Sequence, residues 1–253
     1  MQASERKERL RQNVEQVRAN IAEACRRSGR NPADVRLVAV TKYADLETVR
    51  ALLEAGVREL GENRVQQLVE RADALGATNA NLFDPEPALP RWHMIGHLQR
   101  NKVKALLRHS RILHSLDSLR LAKELEDQAA RRELTVDAFL ELNVAGEQAK
   151  SGAPVAEASA LAEAVCHHPH IRLHGLMTMP PFDPDPEAAR PHFARLRELL
   201  EQLQRQGAVG PDCVHLSMGM TIDYAVAVEE GATFVRIGSA LFEGIESGAT
   251  SSG

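Results

Sequence analysis

The chain has 253 residues, 43% of them hydrophobic and only 4% aromatic, which suits one large domain or two small ones with an aliphatic core. A formal net charge of -4 and a pI of about 6.2 exclude the basic excess that a nucleic-acid face normally needs. No apolar run approaches a membrane span, the charged start Met1 to Glu8 lacks a signal-peptide core, and the scattered Cys25, Cys166 and Cys213 form no CxxC pair, so neither a disulfide framework nor a zinc site is expected and a soluble, cytoplasmic protein is.

Residues 4 to 28 read as a helix, because Leu10, Val14, Val17 and Ile21 recur at helical spacing. Gly29 and Asn31-Pro32 stop it. Arg36 to Lys42 is a short apolar, β-branched run that reads as a buried parallel strand ending on a lysine. Glu47 to Ala55 is a helix, Arg58 to Leu60 a strand followed by Gly61-Glu62-Asn63, and Arg64 to Leu75 a helix whose mixed charges, up to Arg71, suit an exposed face. A proline-bearing loop spans 76–90. Arg91 to Ile95 is the third strand, Leu98 to Leu107 a helix, Arg111 to Ser115 the fourth strand and Leu116 to Arg132 a helix. Val136 to Val144, the fifth strand, runs into a polar loop, after which Pro154 sits at a plausible first helical position. Ile171 to Met179 is the sixth strand. The loop Pro180 to Pro186 and a helix to Gln206 follow. Cys213 to Ser217, a helix over Ile222 to Glu230, and Thr233 to Ile237 complete the alternation, and the small, polar tail 247–253 is expected to be disordered.

Roughly eight strand–helix units over about 250 residues match a (β/α)₈ barrel. An open doubly wound sheet is the rival. It usually carries a glycine-rich turn after its first strand, and here Lys42-Tyr43-Ala44-Asp45 follows instead.

In a barrel, chemistry collects at the carboxyl ends of the strands. Those ends carry Lys42, Glu62-Asn63, His93 with Gly96-His97, Asn143, Thr178, Ser217, and Arg236 with Gly238-Ser239. Taken singly, each reads as a structural hydrogen-bonding residue; their shared position points to a site. Parity puts Val38, Val40 and Lys42 on one face of the first strand, and Phe234 and Arg236 on one face of the last. A lysine held in a dry pocket has a lowered pKa, and its neutral amine attacks carbonyls. A buried Arg236 needs an anion or an acceptor. The turns Ser217 to Thr221 and Gly238 to Ala240 follow the last two strands, where barrels often bind phosphate. Together these features suggest an aldehyde that carries a phosphate. His167-His168-Pro169-His170 reads as a solvated turn rather than a metal tract.

Val40-Thr41-Lys42, Gly61-Glu62-Asn63, the run Trp92 to Lys102, Lys150-Ser151-Gly152, His174 to Met177, Leu216 to Met220 and Val235 to Ala240 resemble, in order over residues 36 to 244, the pyridoxal phosphate homeostasis protein family. The resemblance implies one domain over 1–253: a single barrel at 36–244 of the alanine racemase N-terminal kind, with the extra helix at 4–28. It implies pyridoxal 5′-phosphate held as a Schiff base on Lys42, with Ser217, Gly238 and Ser239 around the phosphate, Arg236 facing the pyridine nitrogen and Asn63 near the ring. The family often has threonine where this chain has Ser239, and His97 falls where relatives vary. The implied role is intracellular buffering and delivery of the cofactor, with PLP-dependent apo-enzymes as partners, a monomeric state and no substantial catalysis.

Two catalytic rivals remain. A fold-type III amino-acid racemase needs a second base, a tyrosine from an added domain. This chain ends soon after the eighth strand, and its tyrosines, Tyr43 and Tyr224, lie in other contexts. A Schiff-base aldolase acting on a phosphorylated sugar fits the family motifs least.

Overall fold

The computed structural model describes residues 3–77, 80–85, 89–146 and 151–245. The tail 247–253 and Lys150 lie outside the described residues. Helix α1 (Ala3–Ser28) precedes β1 (Arg36–Val40), α2 (Leu46–Glu54), β2 (Glu59–Glu62), α3 (Val65–Leu75), β3 (Arg91–Met94), α4 (Val103–Leu106), β4 (Ile112–Leu116), α5 (Leu119–Ala130) and β5 (Val136–Asn143). There follow β6 (Ala153–Pro154), α6 (Ala158–Cys166), β7 (Ile171–Met177), α7 (Arg190–Arg205), β8 (His215–Ser217), α8 (Tyr224–Glu229) and β9 (Phe234–Ile237). The strands pair in the order β4-β3-β2-β1-β9-β8-β7-β5, and β4 with β5 closes the ring. Every pairing is parallel, with Val38 beside Arg236, Gly61 beside His93 and Met177 beside Ser217. This is the expected (β/α)₈ barrel.

Strand parity divides the core in two. Outward residues such as Ala39, Leu60, Met94, Leu140, Val235 and Ile237 meet the helices in one aliphatic layer. α7 shows how a helix joins it: Phe193, Leu196, Leu200 and Leu203 recur on one face and are buried. Burying each such side chain contributes roughly 1.5–3 kcal/mol. The barrel interior departs from the aliphatic expectation. Phe139 and Phe234 meet there edge to face at 5.2 Å, in a second cluster with Val38, Ile112 and Met177. Leu82 plugs that cluster from below: its N–H donates to Asp137 (2.5 Å) and its carbonyl accepts from Arg36 (2.6 Å).

Two segments fold otherwise than their sequence suggests. Pro154 stands one residue ahead of its expected place: it caps the 3₁₀ turn Val155–Glu157 that runs into α6, and Ala153 and Pro154 also pair with Leu142 and Asn143 as β6, at the edge of β5. Gly152, at φ +101°, turns the chain alongside β5, and an edge position costs a proline no ladder bond. The segment 98–107 holds only a 3₁₀ turn (Arg100–Lys102) and the single turn of α4, because Gln99 is extended. No helix among the described residues is long and apolar enough to cross a membrane.

α1 lies against α2, α8 and the 3₁₀ turn Ser239–Phe242. Leu10, Val14, Val17 and Ile21 are buried beneath it. Asn13 donates to the carbonyls of Leu241 (3.1 Å) and Glu243 (2.9 Å), and Asn20 to the Tyr224 hydroxyl (2.9 Å).

Candidate cofactor site

β1 delivers Lys42 to the mouth of the barrel, and the turn behind it is firmly held. The Ala44 N–H donates to the Thr41 carbonyl at 2.8 Å. Asp45 caps α2 by accepting from Thr48 N–H at 2.7 Å, a contact worth ~1 kcal/mol. Arg71 lies behind the turn, donating to the carbonyls of Thr41 (2.7 Å) and Ala44 (2.6 Å) and to the Glu62 carboxylate, which also accepts from the Thr41 hydroxyl. Arg71 is buried, not on an exposed helix face as its mixed-charge neighbourhood suggests. The same helix face meets a buried carboxylate, and burial pushes the Glu62 carboxyl up against the pull of Thr41 and Arg71.

Lys42 is half-buried, and its Nζ sits 4.9 Å from the centre of the Tyr43 ring. It lines a cleft of about 700 Å³ together with Asn63, Gly96, Arg236, Gly238 and Ser239. Tyr43 (79% exposed), Met179, Phe182 (81% exposed) and Ile222 form an apolar rim. Gly96 is required by a close approach: a Cβ there would lie 2.4 Å from the Asn63 carbonyl oxygen and 2.7 Å from its Cα. The turns after β8 and β9 are tied together, the Ala240 N–H donating to the Thr221 hydroxyl at 3.4 Å. Gly219 has φ +92°, and its carbonyl accepts from the Arg236 N–H at 3.0 Å.

Arg236 is buried at the cleft and donates to two uncharged acceptors, Ser217 Oγ (2.7 Å) and the Thr178 carbonyl (3.0 Å). Burial pulls its pKa down to about 10, against the opposing pull of Glu141 and Asp223. Ser217 departs from its expected place. Its side chain is fully buried, accepts from Arg236, bonds His114 Nδ1 at 2.7 Å and does not line the cleft. Parity explains this: Ser217 points into the barrel beside Arg236.

Other strand-end residues also stand away from the cleft. His93 is inside the barrel and Glu62 behind the Lys42 turn. The Thr178 hydroxyl bonds the Leu142 carbonyl at 2.9 Å, and Asn143 Oδ1 accepts from Gly146 N–H at 3.0 Å. His97 is exposed, 3.3 Å from Asp117. His167 and His170 bond the Glu163 carbonyl and Glu126.

A closed barrel with a lysine ending its first strand and an arginine on its last, under one cleft, defines the class to which the comparisons point. The family model described as alanine racemase, N-terminal domain, matches residues 12–245. A pyridoxal phosphate homeostasis protein of Pseudomonas aeruginosa is 42% identical, over 96% of this chain and 99% of its own length. One from Aquifex aeolicus is 38% identical, over 91% and 96%. The solved structure of PipY from Synechococcus elongatus, with PLP bound, is 30% identical with a TM-score of 0.72, covering 88% of this chain and 99% of that one. The chain belongs to the alanine racemase N-terminal domain family and, within it, to the pyridoxal phosphate homeostasis proteins.

Proposed function

We propose that the protein binds pyridoxal 5′-phosphate in the 700 Å³ cleft and holds it for buffering and delivery, without substantial catalysis. The volume suits a ligand of this size, and the donor set suits its chemistry. When bound, the cofactor supplies an aldehyde that captures an amine. Lys42 is the amine at hand, Asn63 would flank the ring, and Gly238 and Ser239 would cradle the phosphate. Arg236 would face the ring nitrogen, with Ser217 acting through it. The convergence of Lys42, Asn63, Arg236, Gly238 and Ser239 on one cleft carries this reading.

Arg236 also argues against catalysis. A cation facing the pyridine nitrogen disfavours its protonation, which weakens the ring as an electron sink. Racemisation through two bases needs a second one across the ring from the lysine. Tyr43 lies against Lys42 itself, and the Tyr224 hydroxyl is engaged by Asn20. The free thiols of Cys25, Cys166 and Cys213 suit a reducing, cytoplasmic compartment. The recipients on this reading are PLP-dependent apo-enzymes, and the holder is a monomer.

Mass spectrometry of the borohydride-reduced native protein tests the assignment. One pyridoxyl phosphate group on Lys42 is expected, and none in Lys42→Ala. An adduct of equal yield in the variant would refute the lysine. Chiral analysis after prolonged incubation with alanine tests the rest, since substantial turnover would make the protein a racemase.

A further inference from the structure

Beneath the cleft, five side chains join end to end inside the barrel. Glu59 bonds His93 Nε2 at 2.8 Å, His93 Nδ1 meets His114 Nε2 at 2.9 Å, His114 Nδ1 meets Ser217 Oγ at 2.7 Å, and Arg236 donates to Ser217 Oγ at 2.7 Å. The two ends set the direction. A guanidinium only donates and an ionised carboxylate only accepts. Glu59 is held ionised: burial pushes it up, but His93 and the two-pronged contact with Arg91 bring it down to about 2. With His93 Nδ1 as an acceptor, one arrangement gives every proton a partner. His93 Nε2–H donates to Glu59, His114 Nε2–H donates to His93, and the Ser217 hydroxyl donates to His114. The free side of Ser217 Oγ then faces Arg236.

The surroundings favour this arrangement. His114 is fully buried, and burial above all, with the Arg236 charge beside it, pushes its pKa well below the ordinary value. Its ring stacks on Phe139 at 4.5 Å and meets Phe234 edge-on at 5.8 Å, so it has no room to turn.

We propose that His93 and His114 are positioning residues for Arg236, fixing the Ser217 hydroxyl so that it holds the guanidinium at the floor of the cleft. This rests on the reading that the cleft holds pyridoxal phosphate against Arg236. It adds two residues that never touch the cofactor. Without the chain, the Ser217 hydroxyl loses the acceptor that fixes its proton, and Oγ is no longer held in the one orientation that presents it to Arg236.

The test uses the full chain, loaded with pyridoxal phosphate, as wild type, His114→Phe, His114→Gln and Ser217→Ala. The readouts are cofactor affinity by titration and the absorbance maximum of the bound chromophore. His114→Phe and Ser217→Ala are expected to weaken affinity roughly tenfold, the scale of one hydrogen bond to a charged group, and to move the maximum in the same direction. Glutamine offers an acceptor and a donor in place of the two ring nitrogens, so His114→Gln is expected to restore both readouts. If His114→Phe does not fold, His93→Leu, one link further from the cleft, carries the same expectation. A His114→Phe protein matching the wild type, or a glutamine variant no better than the phenylalanine one, would overturn the proposal while the cofactor reading stands. A wild type that takes up no cofactor would sink both.

Discussion

Arg71→Met tests whether the lysine turn depends on its buried brace. Arg71 reaches the Thr41 and Ala44 carbonyls at 2.7 and 2.6 Å and pairs with the Glu62 carboxylate, which has no exposed surface. Methionine keeps much of the side-chain volume but removes the cation from the Glu62 carboxylate, leaving it the Thr41 hydroxyl, and takes a donor from the Thr41 and Ala44 carbonyls. Breaking a buried pair from one side costs about 3–5 kcal/mol. The already raised pKa of Glu62 lets it escape part of this by taking a proton, so the lower end, about 3 kcal/mol, is expected. For a chain of this size that is a fall of roughly 6–12 °C in Tm. Urea titration followed by far-UV circular dichroism gives the free energy. The double variant Arg71→Met/Glu62→Gln is expected to recover part of the loss, because no charge remains stranded. The loosened 41–44 turn is also expected to lower the yield of borohydride-fixed cofactor on Lys42. A single variant within 1 kcal/mol of wild type, or a double variant no more stable than the single, would show that the pair does not brace the turn.

Glu59, at about 2 against an ordinary 4.5, stabilises the fold fully above pH 4.5, and that contribution fades as pH falls toward 2, about 3 kcal/mol in all. Urea midpoints measured down this window should fall less steeply in Glu59→Gln, and an unchanged slope would place the acid sensitivity elsewhere. In Gly96→Ala the new methyl would overlap the Asn63 backbone. A loss of about 1–3 kcal/mol and weaker cofactor binding are expected, and a variant with native melting and titration curves would mean that Asn63 has room to move. A thiol reagent at neutral pH should modify the exposed Cys166, slowed by the partial burial that pushes its thiol up, and spare buried Cys25 and Cys213, the latter pushed up to about 12 by burial. A second reactive thiol in the folded protein would contradict that burial.

The alternation of strand and helix was legible because parallel strands buried on both faces read as apolar runs, as in Leu37-Val38-Ala39-Val40. Lys42, Asn63, Arg236, Gly238 and Ser239 were legible because strand ends in a barrel share one face. What escaped was decided by partners distant in sequence. Arg71 looks solvated until the carboxylate of β2 is set behind it. The pairing of Pro154 with Asn143 has no sequence signal until Gly152 lays the chain against β5. Ser217 joins the phosphate turn by its position in the chain, yet its side chain follows the inward phase of β8. The histidine array has a trace in the sequence: Glu59, His93, His114 and Ser217 all fall on the inward phase, alternating with Leu60, Trp92, Leu113 and Leu216.

α1 lies like a hoop across the seam where the first and last strands of the barrel meet. Its asparagines grip groups up to 230 positions later in sequence, so its docking, begun against α2, is completed only when the final unit has formed. The helix made early is therefore fastened late, and it latches a turn that also shapes the cleft. Nicking the chain between α1 and β1 would leave the staves in place but unfasten the latch.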